Sequence, residues 1–215
     1  AETRMIAQDR GGALAPTVAA MARSVGAFPL RTPAVPPGAI YGSAVVTTLG
    51  TGTFMASTAS GDSGSGLSLF EFYDTGGEAT APLVRNVSLR GLTGPGAVVL
   101  TAGLVLRGNG PLQLLVRGLG PALSQFGISD AVSDPRLALY APGLGAPRAE
   151  NDDWAGAPDL GDAARRAGAF ALPANSRDAT LLLTLEPGAY SVQLAAAGSA
   201  IGTGLIEIYV LEARR

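Results

Sequence analysis

The sequence contains no cysteine, no histidine and no lysine, and each absence removes a class of chemistry. Without cysteine there is no disulfide or thiolate nucleophile, and without histidine there is no imidazole base or histidine metal ligand. Without lysine there is no Schiff base and no P-loop lysine. A glycosidase-type pair of carboxylates is the main enzymatic route left. We therefore expect neither an enzyme nor a bound cofactor.

Charge and hydropathy exclude two further kinds of interaction. The formal net charge is −2, and the 15 cationic residues, all arginine, are scattered along the chain. Nucleic-acid binding depends on clustered cations that displace counterions, and no such cluster is present. No apolar run approaches the ~20 residues that cross a bilayer. The sequence thus predicts no nucleic-acid partner and no membrane span.

Short apolar runs separated by Gly, Pro and Asn turns dominate the second part of the chain, as is typical of an antiparallel all-β domain. They predict an all-β fold of antiparallel β-sandwich or jelly-roll-like modules, with one short helix per module. Glu186-Pro187-Gly188 is expected to join two strands as a short hairpin. The predicted strands are 87–90, 97–106, 112–119, 136–140, 179–185, 189–196 and 205–211, and the predicted helix is 159–167 between Pro158 and Gly168.

An internal repeat is the most informative feature of the sequence. Two matches share a spacing of 136 residues, and a third lies at 142 because a Pro-rich stretch is inserted in the first copy. Three ordered matches are an improbable product of chance. The matches pair 202–209 (GTGLIEIY) with 66–73 (GLSLFEFY), 184–190 with 48–54, and 166–172 with 24–30, and the insertion is 31–41.

The repeat is incomplete at the amino end. No residues before Ala1 correspond to the strands predicted between 87 and 140. We interpret residues 1–75 as the back half of one β module, residues 76–83 as a connector, and residues 84–215 as a complete β-sandwich module. A half-sandwich exposes apolar side chains and unpaired strand edges, so it is expected to be covered by something else.

Short motifs mark the turns and strand ends of the second module: NVSLRG (86–91), LGPAL (119–123), DPRL (134–137), NDDW (151–154), GAF (168–170), RDA (177–179) and GLIEIY (204–209). Together they resemble a β-sandwich module that is repeated in tandem in large secreted proteins of environmental bacteria. The resemblance covers residues 84–210 well and residues 5–74 through the back-half motifs only. It implies a location outside the cell or on its surface, and it brings no catalytic residues.

Candidate binding residues are few. Asn151, Asp152 and Asp153 are weak candidate Ca²⁺ ligands, since calcium takes carboxylate and carbonyl oxygens, but Asn/Asp runs before a helix also serve as turn and capping residues. Trp154, the only tryptophan, is either a platform for a sugar or a plug in the core. Asn86 begins a glycosylation sequon.

Two glutamates occupy equivalent places in the repeat. Glu207 and its counterpart Glu71 lie within apolar strands, so each either faces solvent or is buried with an arginine. A hydrolase would need a second carboxylate within ~5–10 Å, and the sequence suggests none.

These features favour an extracellular structural protein. The hypothesis is a subunit of a pilus-like filament that polymerises head-to-tail with copies of itself, in which strands of a neighbouring protomer complete the amino-terminal half-module by donor-strand complementation. One alternative is a cell-surface module that binds carbohydrate or another partner. The other is a slice of a longer tandem-repeat surface protein, in which the same polypeptide completes the half-module.

Overall fold

The computed structural model describes residues 5, 7–8, 15–27, 43–59, 66–73 and 84–211. The chain divides into two units, Ala1–Leu83 and Val84–Arg215. The helices are α1 (Pro16–Val25) and α2 (Pro158–Ala167), with a 3₁₀ helix at Pro121–Phe126. The strands are β1 (Asn86–Thr93), β2 (Leu100–Leu106), β3 (Leu112–Leu119), β4 (Pro135–Tyr140), β5 (Ala149–Asn151), β6 (Ala179–Leu185), β7 (Gly188–Ala196) and β8 (Gly202–Leu211).

The strands of the second unit form two four-stranded antiparallel sheets, which confirms the predicted β-sandwich. Sheet A has the order β1-β8-β3-β6, and sheet B has the order β2-β7-β4-β5. The chain therefore nests its strands, with β1 pairing β8, β2 pairing β7, β3 pairing β6 and β4 pairing β5. This nesting is the jelly-roll arrangement.

The turn at Glu186-Pro187-Gly188 differs from the expectation. It does not close a hairpin, because β6 belongs to sheet A and β7 to sheet B. The turn carries the chain across the sandwich from one sheet to the other. The Pro-Gly chemistry predicted a tight turn correctly, but it does not specify whether the flanking strands pair.

The core lies between the sheets and is built by alternate residues of each strand, as period-2 patterning requires. Strand β3 is buried on both faces, because Leu114 and Val116 point into the sandwich while Leu115 packs against Ala163 of α2. Helix α2 thus covers the outer face of sheet A. The strands and the helix predicted from the sequence are present within a few residues of their expected bounds, whereas β5 and the 3₁₀ helix were not anticipated.

The two α-helices are closely alike. Each has ten residues, begins with Pro at its first turn after an alanine N-cap, and ends at a glycine in the left-handed region (φ 76° at Gly26, φ 72° at Gly168). Pro favours the first turn and Gly the position after the last, so the same local signals set both helices. The two helices also end at equivalent positions of the repeat, because Val25 and Ala167 are the second residues of the matched runs 24–30 and 166–172.

The rest of the described first unit contains no strand. Residues 43–59 and 66–73 form neither helix nor strand, although the repeat matches 48–54 with the end of β6, the following turn and the start of β7, and 66–73 with β8. Several of their large apolar side chains are exposed, among them Phe54, Phe70 and Phe72. Among all described residues, no helix is long and apolar enough to cross a membrane.

Candidate functional site

The most distinctive polar feature of the second unit is a buried ion pair. Arg117 of β3 donates to one oxygen of Glu207 of β8 from both Nε (2.8 Å) and Nη2 (2.5 Å). The side chains are 1% and 8% exposed. Glu207 is therefore buried with an arginine, which was one of the two positions expected for it.

The segment after α2 also contacts this ion pair, through Phe170. Arg117 Nη1 donates to the backbone oxygen of Phe170 at 2.6 Å, and the guanidinium lies 4.3 Å from the centre of the Phe170 ring. The ring of Tyr209 lies 5.8 Å from the same group. We call Arg117, Glu207, Phe170 and Tyr209 the arginine cage.

Strand register explains why these residues meet. Arg117 is directly opposite Glu207 in the β3–β8 ladder, and both point to the outer face of sheet A because their neighbours Val116 and Ile208 point inward. Phe170 lies three residues after the end of α2, and this places its backbone oxygen within hydrogen-bond distance of Arg117. Sheet A, α2 and the segment after it all contribute to the cage.

The cage also alters the titration of its tyrosine. Burial, together with the neighbouring charge of Glu207, raises the pKa of Tyr209 to about 12. The phenolate is disfavoured because it would be poorly hydrated and close to a carboxylate. Arg117 acts in the opposite direction but does not outweigh these effects.

Asp178 forms a second buried polar centre. Its carboxylate accepts the backbone N–H of Gly120 at 2.7 Å and of Ala122 at 3.1 Å, and it also accepts the hydroxyl of Ser176. It thereby caps the first turn of the 3₁₀ helix, whose N–H groups have no partner within the helix. Gly120 is required at this point, since a Cβ there would lie 2.0 Å from the backbone oxygen of Val132.

Of the three residues considered for calcium, Asn151 is used by the fold, whereas Asp152 and Asp153 are exposed. The Asn151 side chain accepts the Thr180 N–H at 2.9 Å and donates to the Asp153 backbone oxygen at 2.8 Å. Within the described part of the chain, no group of three or more acidic, His or Cys residues is placed to hold a metal ion. The amide of Asn151 thus joins the motif before α2 to the start of β6.

Trp154 is a core residue. It is 9% exposed, and its indole N–H donates to the Pro173 backbone oxygen at 2.9 Å, while its backbone N–H donates to that of Asp178. Its ring is therefore not available to stack on a sugar. Asn86, the sequon residue, is exposed on the edge strand β1 and donates to the Ile208 backbone oxygen at 3.2 Å.

The arginine cage and the Asp178 centre both hold separate segments of the chain in fixed positions. In both polar centres the charged side chains have protein partners, and each centre joins a strand to a helix or to the segment that follows one. The roles of Arg117 and Asp178 were missed at the sequence level. The available signal was a charged residue at an outward position of an apolar strand, Arg117, with a matching glutamate in a second strand.

Comparisons with known proteins find a similarity among solved structures only. No protein-family model and no curated protein matches the chain. Among solved structures, it is similar to the pre-peptidase C-terminal domain of a collagenase from Bacillus anthracis, with 13% sequence identity and a TM-score of 0.34. The similarity covers 58% of this chain and 89% of that chain.

Removing the acid of the arginine cage should destabilise the second unit strongly. The change Glu207→Gln leaves Arg117 buried without its counter-ion, which costs about 3–5 kcal/mol in comparable sites. Urea unfolding followed by far-UV circular dichroism measures this loss. The matched control is Glu150→Gln, which removes the half-exposed pair with Arg136 and should leave the unfolding midpoint almost unchanged. Equally small changes of the unfolding midpoint in both variants would show that the arginine cage does not stabilise the second unit.

The tyrosine of the cage should make folding sensitive to alkali. Because the pKa of Tyr209 is raised above the ~10 of an unfolded tyrosine, the folded state holds this proton more tightly. Its contribution is fully present below pH 10 and is lost as the pH rises towards 12. In a series of urea titrations, Tyr209→Phe should reduce the fall in the free energy of unfolding between pH 10 and 12. An unchanged slope would show that Tyr209 titrates normally.

Proposed function

We propose that the chain is a structural protein of the bacterial cell exterior, built from β-sandwich modules, and that it assembles by module completion. The front half of a module is the stretch that forms β1 to β5, and the back half is the stretch that forms α2 and β6 to β8. In module completion, the amino-terminal segment acts as a back half and pairs with the front half of another module of the same kind.

The strand order of the second unit carries this proposal. Every ladder of β6, β7 and β8 is made with a front-half strand: β6 pairs with β3, β7 with β2 and β4, and β8 with β1 and β3. The back-half strands do not pair with one another. A back half without a front half therefore has no partner for its strands, which agrees with the lack of strands in residues 43–59 and 66–73.

Equivalent side chains differ in burial in the way this proposal requires. Phe70 and Phe72 are 43% and 54% exposed, whereas the residues 136 positions later, Ile206 and Ile208, are 1% and 8% exposed. Phe54 is likewise exposed, and its counterpart is buried in the core. The segment thus has the side chains of a core without the other half of that core.

Completion offers a substantial driving force. Burying three phenylalanine side chains contributes roughly 1.5–3 kcal/mol each, before the ladders and the smaller side chains are counted. Association and ordering of the segment oppose this gain. The balance favours a long-lived contact when the front half is preformed or covalently attached.

The numbers of front-half and back-half sequences limit which molecule can supply the front half that completes the amino-terminal segment. Residues 1–215 hold one front half and two back-half sequences, so exchange of halves among identical copies leaves one back half per copy uncovered. Exchange among identical copies therefore does not supply a front half for every amino-terminal segment, and module completion needs a further module of the same kind as the partner.

Edge addition is a second candidate route to a filament. Strand β1 has β8 on one side only, and within the described residues its other edge makes no ladder. It is eight residues long and exposes Val87 and Leu92. An edge of this kind can accept a strand from a neighbouring copy, and when that strand is not β1 itself the contact is head-to-tail and propagates as an open fibre.

Module completion can be tested by supplying the front half. The full chain is extended at its amino end with a second copy of residues 84–157, which leaves residues 1–15 as a tolerated loop. Hydrogen exchange read by mass spectrometry should then show slower exchange in residues 43–59 and 66–73, by about 100-fold or more, because their amides enter ladders.

The control is an extension of the same length in which Leu114 and Val116 of the added copy are both replaced by Asp. These residues point into the core, so that copy cannot form a sandwich. Equal exchange in the two extended chains would rule out module completion.

Edge addition makes a different prediction. If copies join through β1, Leu92→Lys should abolish fibres seen by negative-stain electron microscopy, because a lysine on an edge strand opposes further pairing. Leu92 is 61% exposed, so the unfolding midpoint should not change. Leu144→Lys, at another exposed leucine away from this edge, is the control and should leave fibres intact. Fibres in both variants, or none in the parent chain, would exclude this route.

A further inference from the structure

We infer that the module which completes the amino-terminal segment must present an arginine to Glu71, as β3 presents Arg117 to Glu207. The inference rests on the proposed module completion and adds the chemistry by which the right partner is recognised.

By sequence, the repeat gives the first segment counterparts of three of the four residues of the arginine cage, with Phe28 in place of Phe170. Glu71 and Tyr73 correspond to Glu207 and Tyr209 at the same spacing of 136 residues, within the matched run GLSLFEFY and GTGLIEIY. The arginine that would complete them belongs to the front half, because Arg117 lies on β3. A back half therefore contains the acid and the tyrosine of a cage but never its cation.

Glu71 is without a cation in the described structure. Its carboxylate is half-buried and accepts the hydroxyl of Tyr73 at 2.9 Å, and within the described residues it makes no ion pair. Burial raises the pKa of Tyr73, and the hydrogen bond to Glu71 and the charge of that carboxylate act in the same direction. In the complete module the corresponding carboxylate binds the guanidinium instead.

Completion would bury this carboxylate, and that makes the arginine a requirement. Glu207 is 6% exposed, so docking in the same register removes Glu71 from water. A buried carboxylate without a partner is strongly unfavourable, whereas one held by a guanidinium fork is tolerated. On the other side of β8, the residue of β1 opposite Glu207 is Ser88, and the arginine of that strand, Arg90, is opposite Leu205 instead. The cation directly opposite the carboxylate is Arg117 of β3.

The pair also selects the register of docking. In the β3–β8 ladder, the outward-facing residues two places on either side of Arg117 are Leu115 and Leu119. A slip of two residues would keep every side chain on its own face but would place Glu71 opposite a leucine. A slip of one residue would turn the apolar set outward. Only one register satisfies both the core and the carboxylate.

The test uses the chain extended by a second copy of residues 84–157. Three versions are compared by hydrogen exchange: Glu71→Leu, Arg117→Met in the added copy, and both together. Each single change should reduce the protection of residues 43–59 and 66–73 at least about tenfold, because it leaves one charge buried alone. The double change removes both charges and should recover much of that protection.

Two references make the outcome unambiguous. Glu150→Gln in the added copy removes only an exposed ion pair and should leave protection unchanged, and exchange in β6 to β8 reports on the second unit within the same molecule. Full protection in the Glu71→Leu variant would overturn the inference while leaving module completion standing. A parent extended chain without protection would instead overturn module completion itself.

Discussion

The nested pairing of the jelly roll is the constraint on which the rest of the molecule depends. Because each back-half strand lies beside front-half strands, neither half can satisfy its backbone alone. A helix makes its hydrogen bonds within its own segment, and α1 is the helix that the described first unit contains. Under the proposed module completion, the strand-like sequences after α1 form ladders only when a front half is present.

The arginine cage contributes more to geometry than to net stability. A buried ion pair is often no better than packed apolar side chains of the same volume, but it becomes very costly when one partner is removed. In the second unit it joins β3, β8 and the segment after α2 at one point. Asp178 does the same for the 3₁₀ helix and the start of β6. Both centres therefore favour the observed packing of strands and helices over other packings that would bury the same apolar side chains but leave these charged groups without partners.

Period-2 alternation and turn residues were sufficient to predict the sandwich, most of its strands and α2. They could not predict that Glu186-Pro187-Gly188 crosses between sheets, because a turn sequence reports local backbone geometry and not which strands pair. Strand β5 has three residues, too short for a periodic signal. Within the candidate site, the sequence limited Glu207 to solvent or an arginine. Its actual partner, 90 residues away, depends on the β3–β8 register, which is a tertiary property.

Glu71 stands out in the first unit because the strand-like sequences around it have almost no charged residues. Residues 43–59 carry no charged side chain at all, and Glu71 is the only one in residues 66–73. Exposed, uncharged segments of strand-forming sequence are prone to pair with any available edge. Apolar contact alone would barely discriminate among such edges, because it is non-directional. A single carboxylate that must be buried imposes a penalty on every partner and every register that lacks a matching guanidinium. Glu71, the one charge within residues 43–59 and 66–73, is therefore the feature best placed to make the proposed assembly specific.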